Sequence, residues 1–126
     1  MRAVDTNVLV RLLVRDDVSQ VARAEEFSRP GAWVSHVVLV EALWVLRSVY
    51  EVSAKRIAAA VDLLLDHREL ALQDAEVVRA ALAHFKKRPS LGFSDCLIVE
   101  IARKAGHDPL GTFDRDLAKV HGVERL

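Results

Sequence analysis

The sequence predicts a three-layer α/β fold, a short parallel sheet of four to five strands covered by helices on both faces. Three observations predict it. Short apolar runs recur between longer stretches of helical periodicity, so strands alternate with helices from one end of the chain to the other. A capping or breaking residue separates nearly every run from the next. The 126 residues are 52% hydrophobic, and a chain of that size forms one ordinary domain that buries roughly two thirds of its unfolded surface. Residues 1–126 read as that single domain, with no repeat, low-complexity tract or linker.

Ala3-Val4 reads as the end of a buried strand, closed by Asp5-Thr6-Asn7. Val8 to Val14 continues as a helix whose polar side carries Arg11 and Arg15, four residues apart. Asp16-Asp17 stops it and opens a second helix through Val21, Ala24 and Phe27, which Arg29-Pro30-Gly31 breaks. Trp33-Val34 is the next strand, and Ser35 is placed to cap the helix that follows. That helix, from about Val37 to Val49, is apolar nearly all round, which predicts a central, buried position. Ser53 caps a further helix with Ile57, Val61 and Leu64-Leu65 inside. Leu70 to Leu72 is a third strand, followed by a helix from about Ala75 to Lys87 and a basic turn at Lys86-Lys87-Arg88-Pro89. Phe93-Ser94-Asp95 leads into a helix bearing Leu97, Ile98, Ile101 and Ala102, which Gly106 ends. Pro109 to Phe113 is a fourth strand, Asp114 to Val120 a short helix and Val123 to Leu126 a last strand.

Eighteen basic residues balance eighteen acidic ones, so the chain is no simple polycation that holds nucleic acid by net charge. A single cysteine, Cys96, excludes an intramolecular disulfide and a thiolate zinc cluster. No apolar leader precedes the first charges, and no stretch approaches the ~20 apolar residues of a membrane span. A cytoplasmic protein without a membrane association is expected.

Four acids stand out by position. In a parallel sheet, sites form where strands hand over to helices at their carboxyl ends. Asp5 follows the first strand and Asp114 the fourth; Glu41 lies one to two turns into the apolar helix; Asp95 occupies the first turn of a helix expected beside it. Asp5 and Asp114 also suit helix N-caps, and Asp116 suits either a further ligand or a first-turn acid favoured by the helix dipole. A wheel at ~100° per residue places Asp95 near the edge of the stripe formed by Leu97, Ile98, Ile101, Ala102 and Ala105, and turns Glu100 outward with Arg103 and Lys104. Glu41, flanked by Val37 to Val40 and Ala42 to Leu46, is the hardest to explain structurally. A bare carboxylate buried there would cost several kcal/mol. Two carboxylates ~4 Å apart repel by about 4 kcal/mol at an effective dielectric near 20, so a cluster of three or four implies a neutralising cation. An all-oxygen donor set selects Mg²⁺ or Mn²⁺ over zinc. The five histidines show no metal-ligand spacing.

Four segments carry a family resemblance: V-D-T-N-V-L (4–9), V-E-A-L-W-V-L-R (40–47), F-S-D-C-L-I (93–98) and G-T-F-D-R-D-L (111–117). In order and spacing they resemble the four motifs of PIN-domain ribonucleases, above all the VapC-type toxins of bacterial toxin–antitoxin pairs. By that resemblance Asp5, Glu41, Asp95 and Asp114 match the family's catalytic, metal-binding acids. Asn7 and Thr112 match polar residues that orient them, and Asp116 matches a further acid of part of the family. Ser94 departs from the usual small residue before the third acid. The resemblance implies a PIN-like fold, an RNA substrate, a homodimer and an antitoxin whose tail covers the active-site groove. It also implies metal-dependent endoribonuclease chemistry that leaves a 5′-phosphate and a 3′-hydroxyl. Candidates for RNA contact are Arg11, Arg15, Lys86, Lys87, Arg88, Arg115 and Lys119.

Other readings fit less well. A housekeeping RNA-processing role or an inactive PIN-like binding module shares the motifs. A receiver-type Mg²⁺-binding signalling domain needs an acid pair after the first strand, whereas Asp16-Asp17 comes a helix too late. A D-x-D phosphatase fails because Asn7 stands two residues past Asp5.

Overall fold

A computed structural model describes residues 1–126. Six α-helices accompany five parallel strands, so the α/β class predicted from the sequence is the one observed. Hydrogen bonding divides the strands into a three-stranded and a two-stranded sheet rather than one sheet of four to five. The chain separates into two compact units, Met1–Ala75 and Glu76–Leu126. No helix is long and apolar enough to cross a membrane.

The first unit holds β1 (Arg2–Ala3), α1 (Thr6–Val14), α2 (Val18–Ser28), β2 (Ala32–Val34), α3 (His36–Ser48), α4 (Ala54–Asp66) and β3 (Leu70–Leu72). The strand order is β1-β2-β3, with Ala3 opposite Trp33 and Val34 opposite Leu72. Each helix starts where a short polar side chain satisfies an otherwise unpaired N–H. Asp5 accepts from Val8 N, Asp17 from Gln20 N, Ser35 from Val38 N and Ser53 from Arg56 N. Arg15 closes α1 in a left-handed conformation, its N–H returning to Arg11 O. The core of this unit gathers Val4, Leu9, Val10, Val34, Leu39, Leu43, Leu46, Ile57, Val61, Leu64 and Leu70.

β1 is an exposed edge strand, and burial begins only at Val4. The helix α3 is not enclosed: Leu39, Ala42, Leu43 and Leu46 are buried, but Val37 is 72% and Trp44 65% exposed. One face supplies the core, and the opposite apolar face meets solvent.

The second unit holds α5 (Ala75–Lys87, with its first residue at the boundary), a 3₁₀ turn at Pro89–Leu91, α6 (Phe93–Lys104), β4 (Leu110–Thr112), a second 3₁₀ turn at Leu117–Lys119 and β5 (Val123–Arg125). β4 and β5 run parallel with Thr112 opposite Arg125. Asp114 to Val120, expected as a short helix, makes only that 3₁₀ turn. Val77, Val78, Ala81, Leu82 and Phe85 of α5 are buried, and the Phe85 and Phe93 rings meet edge-on at 6.1 Å.

The burial face of α6 differs from the wheel reading. Phe93, Cys96, Leu97, Val99 and Glu100 are inside, while Ile98 is 49% and Ile101 39% exposed. Positions 93, 96, 97 and 100 follow helical i, i+3, i+4, i+7 spacing, so Phe93 sets the stripe and Glu100 completes it. Within the unit its carboxylate pairs with Arg103 Nε at 2.9 Å and lies 3.5 Å from His84 Nε2.

Candidate functional site

In the first unit, the carboxyl end of β1 delivers Asp5 to the start of α1. Its Oδ1 accepts from Val8 N at 3.0 Å, so the helix-cap role is real. Its other oxygen has no protein donor and the residue is exposed. Glu41 projects from the solvent-facing side of α3, not from a buried one as its apolar neighbours predict, so it bears no cost of a buried carboxylate. What holds Glu41 is a hydrogen bond: Thr6 Oγ1 donates to its Oε1 at 2.7 Å. This contact ties α1 to α3, two helices that pack together. Asn7 lies exposed beside Asp5 and forms part of a recess of about 440 Å³ together with Arg11, Gln20, Arg23 and Phe27.

In the second unit, Asp95 is half-buried in the first turn of α6, which opens at Gly92 without a side-chain cap; Ser94 does not serve as one. Burial first, and the negative charge of Asp114 second, raise the Asp95 carboxyl above its usual range. The neighbouring Cys96 thiol is pushed up to about 11, chiefly by burial and then by Asp95, so it stays protonated at neutral pH and is no nucleophile. Asp114 follows β4. Thr112 Oγ1 accepts from Asp114 N at 3.0 Å, and Asp114 Oδ1 accepts from Asp116 N at 2.8 Å and Leu117 N at 3.2 Å. Thr112 thus fixes the backbone that carries Asp114. Asp116 faces Lys119 Nζ at 3.5 Å.

The PIN domain family matches this chain over residues 2–123. The chain belongs to the PIN-domain family. No curated protein and no solved structure shows significant similarity to it. PIN domains are generally nucleases, and the matched span includes all four acids singled out by position.

No group of three or more His, Cys, Asp or Glu side chains in this PIN domain is set to enclose an ion. Its donor chemistry nevertheless suits a hard divalent cation. Asp5, Glu41 and Asp114 each engage one carboxylate oxygen with the protein's own donor and leave the other open. None of the four acids is paired with a lysine or arginine, in contrast to Asp16, Glu25, Glu100 and Asp116.

Arg11 is bound by Asp16 at 2.6 Å and reaches the Tyr50 hydroxyl at 3.4 Å, and Arg15 pairs with Glu25 at 2.9 Å. Lys86 and Lys87 end α5, Arg88 precedes the first 3₁₀ turn, and Arg115 is exposed. Two residues escaped the sequence reading. Thr6 sat in plain view between Asp5 and Asn7, but its partner is thirty-five residues away. Nothing in the sequence around Arg23 singles it out, and the fold shows that it lines two adjoining recesses.

Proposed function

We propose that this PIN domain is a divalent-metal-dependent endoribonuclease of the VapC type, the toxin of a toxin–antitoxin pair that acts in the cytoplasm. The observation that carries the metal-dependent reading is the set of open, unpaired carboxylate oxygens on Asp5, Glu41 and Asp114, at positions within the matched family span. Asp5, Glu41, Asp95 and Asp114 would hold Mg²⁺ or Mn²⁺, with Asp116 at their margin. When bound, the ion supplies Lewis-acid polarisation of the phosphodiester and an activated water.

The chain's own groups do the positioning. The Thr6 hydroxyl orients Glu41 through one oxygen and leaves the second free. Thr112 and the N–H groups of Asp116 and Leu117 fix Asp114. Groups that orient a ligand in this way commonly govern affinity or activity by 10–100-fold. Half-buried Asp95 stands in a less hydrated setting, where a carboxylate gains most from a counter-charge. The expected products carry a 5′-phosphate and a 3′-hydroxyl.

A second copy of the chain and an antitoxin polypeptide are the proposed protein partners. The uncovered apolar surface on α3, Val37 and Trp44, supports an interface of this kind.

The deciding experiment is cleavage of single-stranded RNA with Mg²⁺, with excess chelator and with Asp95→Asn, each followed by end-group analysis. Cleavage only with metal, lost in the variant at unchanged circular dichroism, is expected. Undiminished cleavage in chelator, or cyclic-phosphate ends, would overturn the metal-dependent reading. Growth arrest on expression, relieved by Asp5→Asn, tests the toxin role.

A further inference from the structure

The recess beside Asp5 does not stand alone. A second one, of about 650 Å³, is bounded by Arg2, Glu26, Arg29 and Pro30, and shares Arg23 and Phe27 with the first. Together the two carry Arg2, Arg11, Arg23 and Arg29 against only Asp5 and Glu26. Arg11 is paired with Asp16, so in a chain with a formal net charge of zero the three remaining arginines leave a small local excess of positive charge.

The four arginines are not equivalent. Arg11 is held by Asp16 and Tyr50. Arg2 donates to Phe27 O at 2.7 Å and lies 4.0 Å from the centre of the Phe27 ring, which fixes it at the rim of the second recess. Arg23 and Arg29 are exposed, and their guanidinium groups make neither an ion pair nor a hydrogen bond with the protein. Arg23 alone among the arginines faces both recesses. An arginine guanidinium with all its donors open suits a phosphate oxygen pair. Asn7 and Gln20, in the same wall as Asp5, offer amide donors and acceptors of the kind that read unstacked bases.

We propose that the two recesses form one track for the phosphodiester backbone of single-stranded RNA, leading away from Asp5 along α2, with Arg23 as the phosphate contact that joins them. This rests on the ribonuclease reading, because it is the presence of Asp5 in the first recess that favours a nucleic-acid chain over an acidic peptide. It moves the RNA contact from Arg11 and Arg15, which the protein itself neutralises, to Arg23, Arg29 and Arg2.

The test is binding of a fluorescent single-stranded RNA by anisotropy in excess chelator, where no metal-dependent cleavage consumes the probe, over a range of salt concentrations. Arg23→Ala is expected to weaken binding roughly 3- to 10-fold at low salt and to reduce the slope of log affinity against log salt by about 0.7, the loss of one phosphate contact. Arg23→Lys should restore the slope, and Lys55→Ala on α4 should change neither quantity. Equal affinity and slope for wild type and Arg23→Ala, at unchanged circular dichroism, would overturn the proposal. So would tighter binding of a short oligoglutamate with the same dependence on Arg23, which would make the track a peptide site. A parallel cleavage assay with Mg²⁺ separates the two readings. A protein that cleaves but binds independently of Arg23 retains the function and loses the track; one that never cleaves loses the function whatever its binding.

Discussion

The hydroxyl of Thr6 donates to Glu41 Oε1 at 2.7 Å, so the first residue of α1 holds the only acid of α3. This bond replaces the explanation that burial offered. Glu41 is exposed, and what marks it is an orientation maintained by a partner adjacent in sequence to Asp5.

Thr6→Val tests that orientation, since it keeps the shape and deletes the donor. The fold should survive, because the lost bond is at the surface. Affinity for Mn²⁺, read by titration calorimetry or by the free-ion spin-resonance signal, should fall by about 10- to 100-fold. Thr6→Ser should restore most of it. An unchanged affinity in Thr6→Val would mean that Glu41 needs no positioning.

Asp5 has two jobs, and two substitutions separate them. Its Oδ1 caps α1 through Val8 N, and loss of such a cap costs about 0.5–2 kcal/mol. Asn caps as well as Asp but brings no charge. Asp5→Asn should therefore melt close to wild type while losing metal affinity and cleavage, whereas Asp5→Ala should lose all three. Equal destabilisation by both variants would show that the carboxylate charge, not the cap, stabilises α1.

The raised carboxyl of Asp95 has a definite pH signature in metal-free protein. Burial and the charge of Asp114 lift its folded-state pKa above the unfolded value of 3.8. Between those two values the folded chain binds more protons than the unfolded chain, so stability falls as pH rises through that window. At neutral pH the ionised Asp95 is a net cost. Asp95→Asn should melt higher than wild type at neutral pH, and the difference should shrink as pH falls and vanish below about the unfolded pKa. Asp114→Asn should narrow the window by removing the second cause. Thermal unfolding across pH would refute this if the two proteins melted in parallel throughout.

Much of the fold was legible because its punctuation is local. Ser35 and Ser53 cap the helices they are expected to cap, and Asp17, of the pair expected to open α2, caps that helix, each through a contact three residues ahead. The strand at Leu70–Leu72 and the helix at Ala75–Lys87 stand where their patterns put them. Asp5, Asp95 and Asp114 stand at strand and helix junctions, as their patterns predict, and Glu41 one to two turns into α3. What failed depends on partners distant in sequence. An apolar helix such as α3 can be buried on one face only, and its composition does not say which neighbours are present to cover the rest. The phase of α6 was misread because a glutamate counts as polar until its partners are known, and His84 lies sixteen residues before it. Arg23 was missed for the same reason: nothing local distinguishes a guanidinium lining a recess from one in open water.

The phase of α6 yields an ordering that can be measured. Glu100 is 9% exposed, with Arg103 and His84 on its carboxylate. Arg103 also donates to His121 O at 2.6 Å, so the glutamate secures a side chain that ties α6 to the segment before β5. Glu100→Ala removes packing, leaves a buried region without its acceptor and frees Arg103, at a cost of about 1–3 kcal/mol. Part of the loss is recovered because Arg103 and His84 are each about one third exposed and can turn to water. Glu100→Gln should cost less, since it keeps an acceptor for Arg103. Ile98→Gln, at a half-exposed position, should cost under about 1 kcal/mol. Denaturant unfolding of the three variants decides the matter, because a wheel that turns Glu100 outward and Ile98 inward demands the reverse order.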